Sequence, residues 1–383
     1  AIKTTTNGNV DIDQDTAVAA DAITAATLAS TNVQPAALTV SATGNVVVSF
    51  TTSNPLPADG KIKITFPNSL GAGFDFTAIT TPVQATSAAN IDGSLWITKS
   101  GQTLTITRSG GTVLAAGSVV NDLTIANVKN PDVVGSTGTY TIRTTDTTDV
   151  VIDEDTAVAA DTTVAGALTA TNVQPASLTA GISGNVTVSF TPAHALPANG
   201  KILVTFPPSF GLTNVLSTDA SSAALGVLTA SVSGQVVTIT RNGAGSIVNG
   251  GTAINDLVIG NVRNPIISGS GGTYAIATAN SSTLTIDQNT SVAADTFVAG
   301  ILSATNVQPA SLVAGATGSA TVTFTTQVAI PANGYIEVTF GSGFNVAGVT
   351  GASSAADING GLTTTVSGQT VRITRNGAGT AVG

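Results

Sequence analysis

Residues 56–67 read LPADGKIKITFP. Lys61, Lys63 and Thr65 alternate with Ile62, Ile64 and Phe66, the period-two pattern of a strand with one face against a core. The Asp59-Gly60 pair before it predicts a tight hairpin turn, because Asp-Gly and Asn-Gly tolerate positive φ. The phrase returns as LPANGKILVTFP at 196–207 and as IPANGYIEVTFG at 330–341.

Other markers recur around it in the same order. TNVQPAAL at 31–38 returns as TNVQPASL at 171–178 and 305–312, so Pro35, Pro175 and Pro309 are spaced by 140 and 134 residues. SGQTLTITRSG, SGQVVTITRNG and SGQTVRITRNG follow, centred on Arg108, Arg241 and Arg375. These are tandem copies of one β domain. The β-branched runs, with turn signals between them, predict about seven to nine short strands in each copy of roughly 135 residues, and no segment has helical periodicity. The expected fold is all-β: an elongated row of immunoglobulin-like antiparallel sandwiches, without the Cys and Trp hallmarks of antibody domains. Expected boundaries are a donor segment at 1–21, complete domains at 22–156 and 157–290, and an incomplete domain at 291–383.

Hydrophobic residues make up 42% of the chain but charged residues only 9%, and no apolar run is long enough for a membrane-spanning helix. The net charge of −9 with scattered cations argues against nucleic acid, which needs a basic face. There is no Cys, which excludes disulfides and thiolate metal sites, and no Met, so an opening on Ala1 implies a removed leader or an excised stretch. Low charge, abundant Thr, Ser, Ala and Gly, and serial β domains resemble the extracellular repeat proteins of bacterial and algal surfaces and adhesin stalks. That resemblance implies an extracellular location and a structural role.

Signals for enzymatic chemistry are lacking: no HExxH, GxSxG or phosphate loop occurs, and no enzyme activity is expected. The single histidine, His194, is expected in an exposed loop, and Trp96 in a core or an interface. Arg108, Arg241 and Arg375 hold one repeat position, as do Lys129 and Arg263, and recurrence in every copy marks a structural job. Three sequons, at Asn185, Asn280 and Asn289, are candidate glycan acceptors. Acidic residues gather where copies meet: Asp11, Asp13 and Asp15; Asp149, Asp153 and Asp155; and Asp287. They are candidate ligands for Ca²⁺, which takes about six to eight oxygen atoms and would stiffen the junctions as in cadherin-like arrays. The alternative is a set of solvated carboxylates guarding strand edges. No other cofactor is expected.

Residues 1–21, AIKTTTNGNVDIDQDTAVAAD, align without a gap to 275–295, AIATANSSTLTIDQNTSVAAD. The third copy reaches Gly383, the counterpart of Asn249, so its closing strands lie outside it. The expectation is strand donation: residues 1–12 of one molecule enter the third copy of the next, with Ile2, Val10 and Ile12 facing inward. A head-to-tail contact of this kind propagates into a homopolymeric filament. The alternative is a stalk of adhesin-type repeats or a longer continuous array. No strand of 1–21 replaces the counterpart of residues 255–262.

Overall fold

The computed structural model of the chain describes residues 1–80 and 85–383. It divides into two compact units, Ala1–Gly166 with Leu284–Ile286, and Ala167–Thr283 with Asp287–Gly383. Every regular element among the described residues is a β-strand. The all-β expectation holds.

In the first unit two sheets enclose one core. The smaller runs in the order Ala29–Pro35, Thr43–Thr51, Val119–Lys129, Ala85–Thr86. The larger runs Ala26–Thr27, Val151–Val158, Tyr140–Thr145, Lys61–Thr65, Thr103–Ser109, Ser94–Ser100, antiparallel except for the short first strand. Val46, Val48 and Phe50 from one sheet meet Ile62, Ile64, Leu104, Ile106 and Ile142 from the other. The alternation in residues 56–67 is therefore read correctly: Ile62 and Ile64 are buried while Lys61 and Lys63 reach outward to Asp149. Of the two places expected for Trp96, core or interface, the core is corrected: Leu95 and Ile97 take the inward positions of its strand, so Trp96 points out, 40% exposed.

The second unit repeats this arrangement in the second copy. Its smaller sheet runs Thr169–Pro175, Ser183–Thr191, Ile254–Arg263, Ala220–Ser221, and its larger one includes Thr285–Val292, Tyr274–Ala279, Lys201–Thr205, Val236–Arg241 and Leu228–Ser233 in that order. The third copy forms a pair, Ser303–Pro309 with Ala320–Thr325, and a triplet in the order Tyr335–Thr339, Thr370–Arg375, Leu362–Ser367.

The Asp-Gly and Asn-Gly turns are not hairpin turns. Each carries the chain from one sheet to the other, and Gly60, Gly200 and Gly334 do not adopt positive φ. What demands glycine is space. A Cβ on Gly60 would lie 2.8 Å from the Thr145 carbonyl oxygen, and one on Gly200 2.8 Å from that of Ala279. The neighbouring strand passes too close for any side chain.

The recurring arginines do have a structural job. Arg108 and Arg241 are buried, and burial pushes both guanidinium groups below their ordinary value. Arg241 donates to the carbonyls of Leu196, Pro197, Leu225 and Ser246, at 3.3, 2.6, 3.1 and 2.6 Å. Arg108 and Arg375 hold the carbonyls at the equivalent turn, Leu56 and Pro57, and Ile330 and Pro331. One fixed fork adds a second bond to the Leu196 and Pro197 carbonyls, which also accept the Val248 and Gly200 N–H groups, and ties them to Leu225 and Ser246. Arg241→Ala takes this donor from the Leu225 and Ser246 carbonyls and removes the tie between the two loops, and denaturant unfolding of the second copy should show a loss of about 2 kcal/mol. Arg372→Ala, on the exposed face, should lose less than about 1 kcal/mol.

Candidate strand-acceptor site

The site is defined by what closes the larger sheet of the first copy. There the hairpin of Tyr140–Thr145 and Val151–Val158 sits between Lys61–Thr65 on one side and Ala26–Thr27 on the other. In the third copy the flanking positions are Tyr335–Thr339 and residues 300–301. Tyr335–Thr339 pairs with Thr370–Arg375 on one edge, and among the described residues no strand pairs with its other edge. A cleft of about 280 Å³ lies there, lined by Gly300, Leu302, Phe324, Val328, Ile336 and Glu337 among others.

Several groups around this gap are left as if a hairpin were to lie in it. Leu302 is 52% exposed, whereas its counterparts Leu28 and Leu168 are 3% and 4% exposed. Leu28 and Leu168 donate their N–H to Glu154 and Gln288 carbonyls, at 3.1 and 3.2 Å, on the outer hairpin strand. Gly334 keeps the glycine but has no facing carbonyl from a neighbouring strand; its nearest contacts are Ile330 and Pro331. The Gln327 side chain leans into the gap, its Oε1 accepting the Ile301 N–H at 3.3 Å.

The N-terminal residues carry the counterpart of that hairpin in sequence. Ile2–Thr5 and Asp11–Asp15 form a hairpin that, among the described residues, pairs with no other strand. Its register, Ile2 to Asp15, Thr4 to Asp13 and Thr5 to Asp11, repeats Ile142 to Asp155, Thr144 to Asp153 and Thr145 to Val151. The register shift falls at the same step, Thr4/Thr5 and Thr144/Thr145. The turns agree as well: Asn9, Asp149 and Thr283 share the left-handed conformation at φ of 59°, 73° and 68°. The N-terminal hairpin already holds the shape of the one that closes the first copy.

The three apolar residues expected to face inward have counterparts in three different settings. Ile142 and Ile276 lie in the cores, matching Ile2. Ile286, matching Ile12, is buried outside the second core, with Val40, Leu70 and Val133, while its neighbour Asp287 takes the inward position; Ile152 is partly buried against the first core. Val10 does not follow: its counterparts Val150 and Leu284 are both exposed, because that residue sits in the turn. Ile2 and Ile12 themselves are 65% and 62% exposed.

The acidic residues are dispersed into separate contacts. Among the described residues no three His, Asp or Glu side chains group as metal ligands. Asp11 pairs with Lys3, and Lys61 and Lys63 hold the Asp149 carboxyl below the usual carboxylate range. Asp153 is fully buried and accepts the backbone N–H of Ser53 and Asn54 and the Asn54 amide, at 2.9, 3.0 and 2.8 Å. Asp155 accepts the Thr31 hydroxyl at 2.6 Å. Asp13 and Asp15 are exposed, and Asp15 caps its own turn through the Ala17 N–H.

His194 corrects the exposed-loop expectation. It is half-buried, and its backbone N–H and Nδ1 meet the buried Asp287 carboxylate at 2.9 and 2.7 Å. This is the place Asn54 takes in the first copy. The sequence held no local sign of either pair, since the partners lie 93 and 99 residues apart. The same is true of Tyr140 and Tyr274, whose hydroxyls donate to Asp161 and Asp295 at 2.7 Å, with burial pushing both carboxyls up. Of the sequons, Asn185 is exposed on a strand, Asn280 is half-buried at a turn, and the Asn289 amide donates to Thr171 Oγ1 at 2.9 Å.

No protein-family model and no curated sequence matches the chain. It is similar to several solved structures. The type II cohesin dyad of the adaptor ScaA scaffoldin from Acetivibrio cellulolyticus is 10% identical, with a TM-score of 0.20, covering 67% of this chain and 94% of that one. The C-terminal domain of the Streptococcus agalactiae AgI/II polypeptide BspA is 12% identical, with a TM-score of 0.24, covering 71% and 99%. Red sea bream transglutaminase is 12% identical, with a TM-score of 0.28; the likeness covers 71% of this chain and 31% of that enzyme. Among the described residues no helix is long and apolar enough to cross a membrane.

The Asn54 and His194 equivalence is testable. His194→Asn should keep the second copy within about 1 kcal/mol of wild type, because an Asn amide serves the same carboxylate in the first copy. His194→Ala removes one partner of a buried charge and should cost about 2 kcal/mol in denaturant unfolding.

Proposed function

We propose that the protein is a structural subunit of an extracellular filament. The N-terminal hairpin of one copy seats beside Tyr335–Thr339 of the next, and the contact repeats head to tail. The observation that carries this reading is the hairpin itself, which reproduces the register, bulge and turn of the hairpin closing the first copy while its own Ile2 and Ile12 stay exposed. Support from the receiving side comes from the open strand edge, the exposed Leu302 and a Gly334 that, unlike Gly60 and Gly200, faces no strand carbonyl. Backbone pairing to an open edge supplies affinity, and side chains at alternate positions supply selectivity. The low charge and Thr-rich composition support an extracellular setting, with Asn185 and Asn280 as proposed glycan acceptors.

A second reading is a stalk of repeats in which a continuation of the same chain supplies the hairpin. The first copy favours it, since its closing hairpin follows directly in sequence. The two readings separate on the protein alone, because only the filament reading has separate 383-residue chains joining one another.

The register of the second copy, Val204 to Ile276 and Leu203 to Ala277, transfers to the joint as Val338 to Ile2 and Glu337 to Lys3. An acid then faces a base across the strands, where the second copy has Leu203 and Ala277 and the first has Lys63 and Arg143. Such a cross-strand pair contributes about 0.2–1 kcal/mol.

Sedimentation velocity and electron microscopy of the purified chain should show concentration-dependent linear oligomers. A synthetic peptide of residues 1–15 should bind the chain and shorten them. Lys3→Glu should weaken association roughly threefold, and Glu337→Lys in the same chain should restore it. A chain that stays monomeric at high concentration and ignores the peptide would sink the filament reading.

A further inference from the structure

The carboxylates of Asp13 and Asp15 have no assigned role in the joint, yet their counterparts all hold hydrogen bonds to the opposite side of their copy. Asp153 and Asp287, matching Asp13, are both 0% exposed, and each accepts the backbone N–H at the same loop position, Asn54 at 3.0 Å and His194 at 2.9 Å. In the third copy that loop position is Val328. Its N–H has no acceptor among the described residues, and its side chain borders the cleft.

Asp155 and Asn289, matching Asp15, both bond the threonine of the TNVQP strand, Thr31 at 2.6 Å and Thr171 at 2.9 Å. The polarity is reversed between the two: Thr31 donates to the carboxylate, whereas the Asn289 amide donates to Thr171. The third counterpart is Thr305, whose hydroxyl has no partner among the described residues. Asp11 is different, since its counterparts Val151 and Thr285 are not acidic and it already pairs with Lys3.

We infer that Asp13 and Asp15 of one copy are the polar locks of the joint, Asp13 accepting the Val328 N–H and Asp15 accepting the Thr305 hydroxyl of the next copy. The inference rests on the filament reading and identifies the groups that fix the hairpin's depth and register. Ladder bonds form equally well in a hairpin slipped by two residues, which keeps the same side chains inward. A slipped hairpin would bury the Asp13 carboxylate without a donor, and a buried charge without a partner is heavily disfavoured. Two carboxylates reaching two fixed donors therefore admit one seating. The use made of them is as hydrogen-bond acceptors, with no metal between.

The test compares hairpin variants in the full chain, since Asp13 and Asp15 are exposed in the free hairpin and their replacement leaves both units intact. Association constants are measured by sedimentation velocity with and without EDTA or added CaCl₂. Asp13→Ala should weaken association by about 10–100-fold and Asp15→Ala by about tenfold. Asp15→Asn should stay within about threefold of wild type, because Asn289 performs this contact in the second copy. Asp11→Asn should also stay within about threefold. If wild type associates and Asp13→Ala associates equally well, the lock inference is wrong while strand donation stands. If EDTA abolishes association of the wild type, the carboxylates serve a cation and the inference is overturned. If wild type neither associates nor binds the 1–15 peptide, both readings fall.

Discussion

An open strand edge with a core beneath it is the constraint on which this molecule turns. Each peptide N–H and C=O at such an edge needs a partner, and each apolar side chain under it needs a cover. In the first copy both needs are met at once by the hairpin of Tyr140–Thr145 and Val151–Val158: its inner strand pairs residue for residue with Lys61–Thr65 while Ile142 enters the core. Gly60 records how tight that closure is, because the Thr145 carbonyl occupies the volume a side chain would take. Gly334 keeps the same economy of space beside a strand whose second edge is open.

Strand pairing alone does not choose a partner, since every backbone offers the same groups. Selection has to come from the side chains, and here the polar ones have most to say. A carboxylate removed from water is tolerated only with donors aimed at it. Asp153 obtains three from a loop about a hundred residues away, and Asp287 obtains two from His194. These contacts tie the outer strand of the hairpin to the smaller sheet's side of the sandwich. The hairpin is thus held along its inner strand by the ladder and along its outer strand by discrete hydrogen bonds.

Much of the architecture was legible because it is periodic. Strand alternation in residues 56–67, the return of TNVQP and the match of 1–21 to 275–295 are local or translational signals, and each predicts what the sheets show. The misreadings share a different cause: they concern pairs that the fold brings together across long separations. His194 was expected in an exposed loop because nothing near it announces Asp287, just as nothing near Asp153 announces Asn54. Trp96 and Val10 sit in patterns that fit either face, and a single residue of phase separates core from solvent. The Asp-Gly turns were taken for hairpins because the pair is a good hairpin signal, although here the glycine answers a close backbone approach.

The third copy has a second open edge, and it bears on how a joint would behave. Among the described residues Ala320–Thr325 pairs with Ser303–Pro309 alone, whereas its counterpart Ser183–Thr191 is flanked on both sides. Val322 and Phe324 are accordingly half-buried where Val188 and Phe190 are fully buried. A two-stranded sheet of this kind is marginal by itself, because it covers too little apolar surface to offset the ordering of its own backbone. In the filament reading the incoming hairpin does not dock on a finished sandwich. It covers Leu302 and brings a carbonyl to Gly334 from the larger sheet's side, so part of the binding free energy goes into ordering the seat. Affinity at such a joint follows the stability of the receiving copy as closely as it follows the contacts of the hairpin. Substitutions inside the third copy, remote from the cleft, then weaken the joint by the amount they loosen the strands that frame it.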